Sequence, residues 1–241
     1  MSRIPSISAA ILACLTLAAC TTRSPEALAE HDPFEPTNRF WFGATQKADK
    51  YFAKPVAKAY VAVVPEPART GLHNVLTNIN QPVVMGNEVL QGSPKAAVST
   101  LGRFVVNSTV GVGGIIDVAS KIGIPSDDQD GGVTFGKWGV PEGPYLFLPL
   151  LGPAPPRDLL GRVADNYMQP LTWIKFPGQH TLTYSILGAN FLDARAQNLD
   201  QLDAIERTSV DFYATTRSLY RQHRNAQING NQAPTQNLPN F

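Results

Sequence analysis

The amino-acid sequence predicts an all-α protein, a bundle of short amphipathic helices joined by Gly/Pro-rich loops. Three observations carry this reading. Apolar residues recur at helical spacing, as in Leu72, Val75, Leu76 and Ile79, the i, i+3, i+4, i+7 pattern of one helix face. Prolines stand where helices begin, as in Asp32-Pro33-Phe34-Glu35 and Ser93-Pro94. There the missing N–H is one that a helix leaves unpaired in any case. No stretch carries a convincing β-hairpin signal, and no internal repeat is present.

The elements follow in order. Residues 1–19 hold Arg3 near the start, an apolar stretch from Ile4 to Ala18, and small residues before Cys20, which is the layout of a secretory signal. The apolar stretch is shorter than the ~20 residues a transmembrane helix needs. Leu17-Ala18-Ala19-Cys20 matches the lipobox at which lipoprotein signal peptidase cuts. Cys20 is therefore expected to be acylated and to serve as the lipid anchor. Each buried methylene contributes ~0.8 kcal/mol, and stable anchoring takes more than one chain. Thr21, in place of an Asp, points to the outer membrane. Residues 20–31, small and polar, read as the acylated tether.

A helical domain is expected over residues 32–224. It opens with an aromatic-rich helix holding Phe40, Trp41, Phe42, Tyr51 and Phe52, which Pro55 interrupts. A second helix starts near Pro65-Glu66-Pro67. Pro82 is expected to start another short helix, running through Leu90 and stopping at Gly92. Ser93-Pro94 starts the next, to about Val110. Gly111-Val112-Gly113-Gly114 is a glycine break before a short apolar helix. Residues 123–157 are rich in Gly and Pro and contain the apolar piece Tyr145 to Leu151. Pro149 denies that piece a place as a central strand or mid-helix. Arg157 to Met168 reads as helix, and Thr181 to about Arg224 as one long helix or two in tandem. The tail 225–241, rich in Asn, Gln and Pro, is expected to be disordered. No window after Cys20 reaches ~18 uninterrupted apolar residues, so no single helix spans a bilayer. Several short apolar helices are instead long enough to lie in one leaflet.

Composition excludes several function classes. The net charge is +1, and without Arg3 the chain balances at 19 basic against 19 acidic residues. A nucleic-acid binder would carry a basic excess, and no run of Lys or Arg suggests docking on anionic head groups. Charged residues make up 16% of the chain, against about 25% in soluble domains, which fits a protein with a wet face and a greasy face. Once Cys14 leaves with the signal, no internal disulfide is possible. His31, His73, His180 and His223 show no ligand-like spacing, and there is no H-E-x-x-H, C-x-x-C or G-x-S-x-G, so neither a metal site nor a catalytic residue is expected. Asp127-Asp128-Gln129-Asp130-Gly131 fails as a calcium loop. With Gly131 at position six, Ser126 and Lys137 stand where the first and closing carboxylates belong, so a solvated turn is expected. The aromatic helix reads equally as core or as a water–lipid boundary.

The order of these pieces carries a resemblance. Asp32-Pro33-Phe34-Glu35 with Asn38-Arg39, Pro65-Glu66-Pro67-Ala68-Arg69, Arg103-Phe104, Asn107-Ser108-Thr109 and Gly111-Val112-Gly113-Gly114 followed by Asp117 come first. Phe135-Gly136-Lys137-Trp138-Gly139-Val140, Gly143-Pro144-Tyr145, Pro149-Leu150-Leu151-Gly152-Pro153, Arg157-Asp158 and the Tyr213…Arg217…Tyr220…Arg224 series follow. Along nearly all of its mature length the chain resembles the MlaA (VacJ) family of outer-membrane lipoproteins. Two places depart from the family's pattern: Gly131, where an aromatic is usual, and Pro155-Pro156.

The resemblance implies a ring-like bundle of helices embedded in one membrane leaflet, the periplasmic leaflet of the outer membrane. It implies that phospholipid mislocalised in the outer leaflet passes through a channel and on to a periplasmic carrier, MlaC, which maintains lipid asymmetry. A porin trimer is the implied membrane partner, and no cofactor or catalysis is implied. Candidate channel or gate residues are Gly111, Gly113, Gly114, Asp117, Gly143, Pro144, Tyr145, Arg157 and Asp158. The glycines permit close packing and bending, although a plain turn between helices accounts for them as well. Arg157 and Asp158 suit either lipid head groups or an ion pair at a helix end. The alternative is a structural lipoprotein that scaffolds a porin complex without moving lipid. An open apolar-rimmed cavity favours transport, and a filled core favours scaffolding.

Overall fold

The computed structural model describes residues 24–230. The helices are α1 (Pro25–Ala29), α2 (Glu35–Ala48), a π-helix (Asp49–Ala53), α3 (Lys54–Val63), α4 (Glu66–Leu90), α5 (Pro94–Thr109), α6 (Val118–Lys121) and α7 (Gly131–Lys137). A hairpin of β1 (Phe147–Leu148) and β2 (Gly152–Pro153) follows. Then come α8 (Pro156–Met168), a 3-10 turn (Pro170–Thr172), α9 (Gln179–Gln197), α10 (Leu199–Thr208) and α11 (Phe212–Asn229). The fold is all-α apart from that hairpin. No helix among the described residues is long and apolar enough to cross a membrane.

Local chemistry explains most starts. The Ser24 hydroxyl accepts from the Ala27 amide at 3.3 Å and Pro25 takes the first turn, so α1 forms inside the stretch expected to be a tether. Ala27 is buried, which packs this short helix on the body. Asp117, Asp130 and Asp211 cap α6, α7 and α11 by accepting from the amide three residues on, each satisfying a donor the first turn leaves open. Pro155 and Pro156 open α8, so that departure from the family's pattern starts a helix.

Other expectations are corrected. Pro82 starts no helix: it lies inside α4, with Leu76, Asn78 and Gln81 buried before it and Val83, Val84, Asn87 and Glu88 after it. Burial along one face on both sides outweighs the backbone bond that the proline removes. Pro55 does not break the chain either. The π-helix absorbs the misfit and α3 follows directly, as wide turns do within α-helices. The apolar piece at 145–151 closes a hairpin, with Phe147 opposite Pro153 and Leu148 opposite Gly152. It turns at Leu150, whose φ is +67°. The stretch 181–224 is three helices rather than one or two, and α11 continues to Asn229, past the point where a disordered tail was expected.

The interior is unusual in composition. An aromatic cluster of Phe42, Tyr145, Phe147, Tyr213 and Tyr220 forms the apolar core. Its rings meet edge to face, Phe42 with Phe147 at 5.3 Å and with Tyr213 at 5.5 Å, the arrangement that ring quadrupoles favour. Around it, buried Asp, Glu, Arg, Asn, Gln and Thr outnumber buried apolar residues among the described residues. Large apolar side chains instead face outward on most helices, among them Phe40, Phe52, Val98, Leu101, Leu160 and Leu187. The helices are thus pinned from within by polar contacts and are greasy outside.

Candidate functional site

A cavity of about 640 Å³ opens between α2, the π-helix, α9, α10, the start of α11 and the hairpin, within the ~300–1,000 Å³ typical of ligand sites. Its walls are mainly apolar: Phe42, Phe52, Phe147, Leu151, Phe191 and Phe212 supply much of them. One side is polar. Asp49, the first π-helix residue, accepts from Arg195 Nε at 2.6 Å and Nη2 at 2.8 Å. Asp203, 3.8 Å from Arg195, pairs with Lys54 at 2.8 Å. The hydrogen bonds from Arg195 to Asp49 raise the guanidinium pKa against the effect of its burial. The site is an open apolar hollow with one charged edge.

The hairpin wall is held by Asp32 and Asn38. Asn38 Nδ2 donates to Asp32 Oδ1 at 2.8 Å and to the Tyr145 carbonyl at 3.0 Å, and its Oδ1 accepts from the Phe147 amide at 2.9 Å. Asp32, fully buried, also accepts from Arg217 Nη1 at 2.7 Å and from the Tyr213 hydroxyl. Burial pushes the Tyr213 phenol pKa up, and its hydrogen bond to Asp32 adds to the shift. Helix α2, the hairpin and α11 are thereby locked around the aromatic core.

A second pin sits where α7, α8 and α11 meet. Arg157 Nε donates to Asp158 Oδ1 at 2.8 Å. Arg224 donates to Asp158 at 3.2 Å and to Asp130 at 2.7 Å, and Tyr220 donates its hydroxyl to Asp158. Burial works to raise the Asp158 pKa, but the hydrogen bond from Arg157 and the Arg224 charge outweigh it and hold it low. Gly131 and Gly132 lie against Gly161 so closely that a Cβ on Gly161 would stand 2.1 Å from the Gly132 nitrogen. That contact accounts for glycine at 131, because a Cβ there would meet the Gly161 carbonyl oxygen at 2.6 Å.

The sequence-chosen residues fall in two places. Gly143, Pro144, Tyr145, Arg157 and Asp158 come together beside α11. Tyr145 meets the Tyr220 ring at 6.4 Å, and a Cβ on Gly143 would touch Pro156 at 3.2 Å. Gly143 and Pro144 also line a second hollow with Leu28 and His31. Gly111, Gly113, Gly114 and Asp117 sit apart, against α4 and α5. The Gly114 amide donates to the Asn107 carbonyl at 2.8 Å, and Asn78 crowds Gly114, whose φ is +97°. Asp117 accepts from Arg103 at 2.9 Å, from Asn107 at 3.0 Å and from Ser120. Burial works to raise its pKa, but these bonds outweigh it and hold the carboxyl at about 2. None of the nine is among the described residues lining the large cavity, and Cys20 lies outside the described residues. The cavity walls were partly signalled by the aromatic helix and the apolar 145–151 piece. The contribution of α9 and α10 was not, since no motif marks Phe191 or Leu202.

The comparisons agree with this architecture. The profile of the MlaA lipoprotein family matches residues 30–227. The intermembrane phospholipid transport system lipoprotein MlaA of Escherichia coli (strain K12) is 34% identical, over 97% of this chain and 93% of that protein. Its Haemophilus influenzae counterpart is also 34% identical, over 93% and 90%. An uncharacterized Rickettsia bellii protein is 32% identical, over 82% and 77%. A solved chain described under "Structural basis for maintenance of bacterial outer membrane lipid asymmetry" superposes with a TM-score of 0.73. It is 32% identical, covering 82% of this chain and 98% of that one. With the match spanning most of its length and the fold shared, this chain belongs to the MlaA lipoprotein family.

Proposed function

We propose that this protein is a non-enzymatic outer-membrane lipoprotein that takes mislocalised phospholipid from the outer leaflet and passes it to a soluble periplasmic carrier of the MlaC kind. The open apolar cavity with its charged edge carries the reading. A phospholipid crosses a bilayer slowly because its charged head group must traverse hydrocarbon. A hollow offering apolar walls to acyl chains and a polar edge to the head group lowers that barrier without ATP. Exposed apolar side chains on α2, α5 and α9 suit a body sunk in the periplasmic leaflet, anchored further by an acylated Cys20 and seated against a porin trimer. A scaffold that moves no lipid has no use for a hollow, whereas a filled core would favour it. The test is reconstitution in vesicles with a fluorescent phospholipid and a soluble carrier. Transfer dependent on the protein is expected, and carrier loading no faster than in protein-free vesicles overturns the reading.

A further inference from the structure

Helix α9 is bound to the rest of the molecule in an uncommon way. Of its 19 residues, Gln179–Gln197, the buried ones are Asp193 and Arg195, both in the last turn and a half. Leu182, Tyr184, Leu187 and Phe191 are exposed. Apolar packing therefore does little to hold the helix, although Gly188, Phe191 and Leu192 form a wall of the cavity. Two polar contacts do the holding. His73 Nδ1 on α4 lies 2.9 Å from Asp193 Oδ2, and Gln197 Nε2 donates to the same oxygen at 2.8 Å and lies 2.6 Å from Nδ1, so a proton on Nδ1 is directed at Asp193. Arg195 donates twice to Asp49 on the π-helix.

We propose that α9 is a movable wall of the cavity, held closed by this two-point clamp at its C-terminal end, and that the protonation state of His73 sets how firmly it is held. The proposal rests on the cavity being the lipid path. The closed clamp is itself incompletely satisfied. Arg195 Nη1 and the Tyr60 hydroxyl, on α3, are buried without hydrogen-bond partners among the described residues, which penalises closure and leaves the two states within reach of a modest bias. The charged and titratable groups facing the clamp are Asp193 and Asp117 around His73, Asp193 and Arg69 around Tyr60, and Asp49, Asp203 and Glu206 around Arg195. Lys54 stands on Asp203. Histidine is the side chain whose ordinary pKa falls between about pH 5 and 8. The hydrogen bond to Asp193 raises the His73 pKa in the closed state, against the opposing effect of burial. Closure is therefore favoured below the ordinary histidine pKa and loses that support as pH rises through the raised value.

The test uses the full acylated chain in lipid nanodiscs, with spin labels at Phe52→Cys on the π-helix and Leu187→Cys on α9. Pulsed dipolar distances are read from about pH 5 to about pH 9. One short distance is expected at the acidic end. A second, longer population should grow with pH, the closed-to-open ratio falling about tenfold for each unit by which closure raises the His73 pKa. His73→Gln, at a half-buried position, should abolish the pH dependence, and Asp193→Asn should show the longer distance throughout. A pH-independent distribution in the unsubstituted clamp, or a pH shift that survives His73→Gln, overturns the proposal. Circular dichroism separates opening from unfolding in each variant. Phospholipid transfer is measured on the same samples. Opening without transfer refutes the transport reading and leaves the clamp standing, whereas transfer without opening refutes the clamp.

Discussion

Asp32 shows what a single buried charge does in this fold. It is fully buried and accepts from Asn38, Tyr213 and Arg217, so its removal leaves the Arg217 guanidinium with only the exposed Glu30, 3.8 Å away, as counter-charge. Breaking a buried pair of this kind costs about 3–5 kcal/mol. At roughly 2–4 °C per kcal/mol for a chain of this size, Asp32→Asn is expected to lower the thermal midpoint in detergent by about 10 °C. An unchanged midpoint would mean that the pin is not a stability determinant. Glu88 gives the opposite case. It is buried on α4, neither carboxylate oxygen has a hydrogen-bond partner of good geometry among the described residues, and burial pushes its pKa up, with Thr100 offsetting only part. An acid whose pKa is raised by folding favours the folded state less as pH climbs above its unfolded value. Glu88→Gln should therefore stabilise the protein most at neutral and alkaline pH, with the gain shrinking toward pH ~4.5. Thermal melts of both proteins across that range check this, and a loss of stability at pH ~7 would contradict the burial argument.

At the scale of elements, the α5–α6 junction turns on backbone conformations that most residues avoid. Val112, Gly113 and Gly114 all have positive φ, and each such residue with a side chain costs roughly 1–2 kcal/mol. Space separates the two glycines. A Cβ at Gly113 meets nothing within 4 Å, whereas at Gly114 it would stand 2.7 Å from the Asn78 Cβ. Gly113→Val is expected to leave a folded, membrane-bound protein. If the turn has to flex for lipid to pass, detergent permeability of the outer membrane should rise in that variant. Gly114→Val should lose stability in addition, read as earlier melting than Gly113→Val. Equal melting of the two would discount the Asn78 contact, and a full permeability barrier in Gly113→Val would count against a gate at this turn.

For the molecule as a whole, the cavity and the greasy exterior make separate predictions. Gly188 lines the cavity and has open space where a side chain would go. Gly188→Trp should partly fill the hollow and cut vesicle-to-carrier transfer by roughly an order of magnitude, with little change in melting, because no existing contact is displaced. Undiminished transfer would place the lipid path elsewhere. Apolar area contributes ~25 cal/mol per Å² when removed from water, so the outward side chains of α2, α5 and α9 should hold the body in the membrane without the acyl anchor. A Cys20→Ala variant exported by a non-lipoprotein signal should fractionate with membranes. Its recovery as a monodisperse soluble protein would favour a tethered domain.

The sequence by itself determined the helical class, most helix starts and the family. Periodicity and N1 prolines act within a few residues of each other, as at Pro94, so one-dimensional order is enough to read them, whereas Ser93 makes no side-chain cap bond and α2 starts at Glu35 rather than at Pro33. What only the tertiary structure decided depends on partners far along the chain. Pro82 stays inside α4 because buried residues on both sides hold the helix through it. Arg157 and Asp158 belong to an interior pin because Tyr220 and Arg224, over sixty residues away, close on Asp158. The role of α9 as a cavity wall is set by distant contacts: its helix buries only Asp193 and Arg195, whose partners His73 and Asp49 lie more than a hundred residues earlier. Local chemistry fixes where a helix starts. Which of its faces is interior is fixed by contacts whose sequence separation leaves no periodic trace.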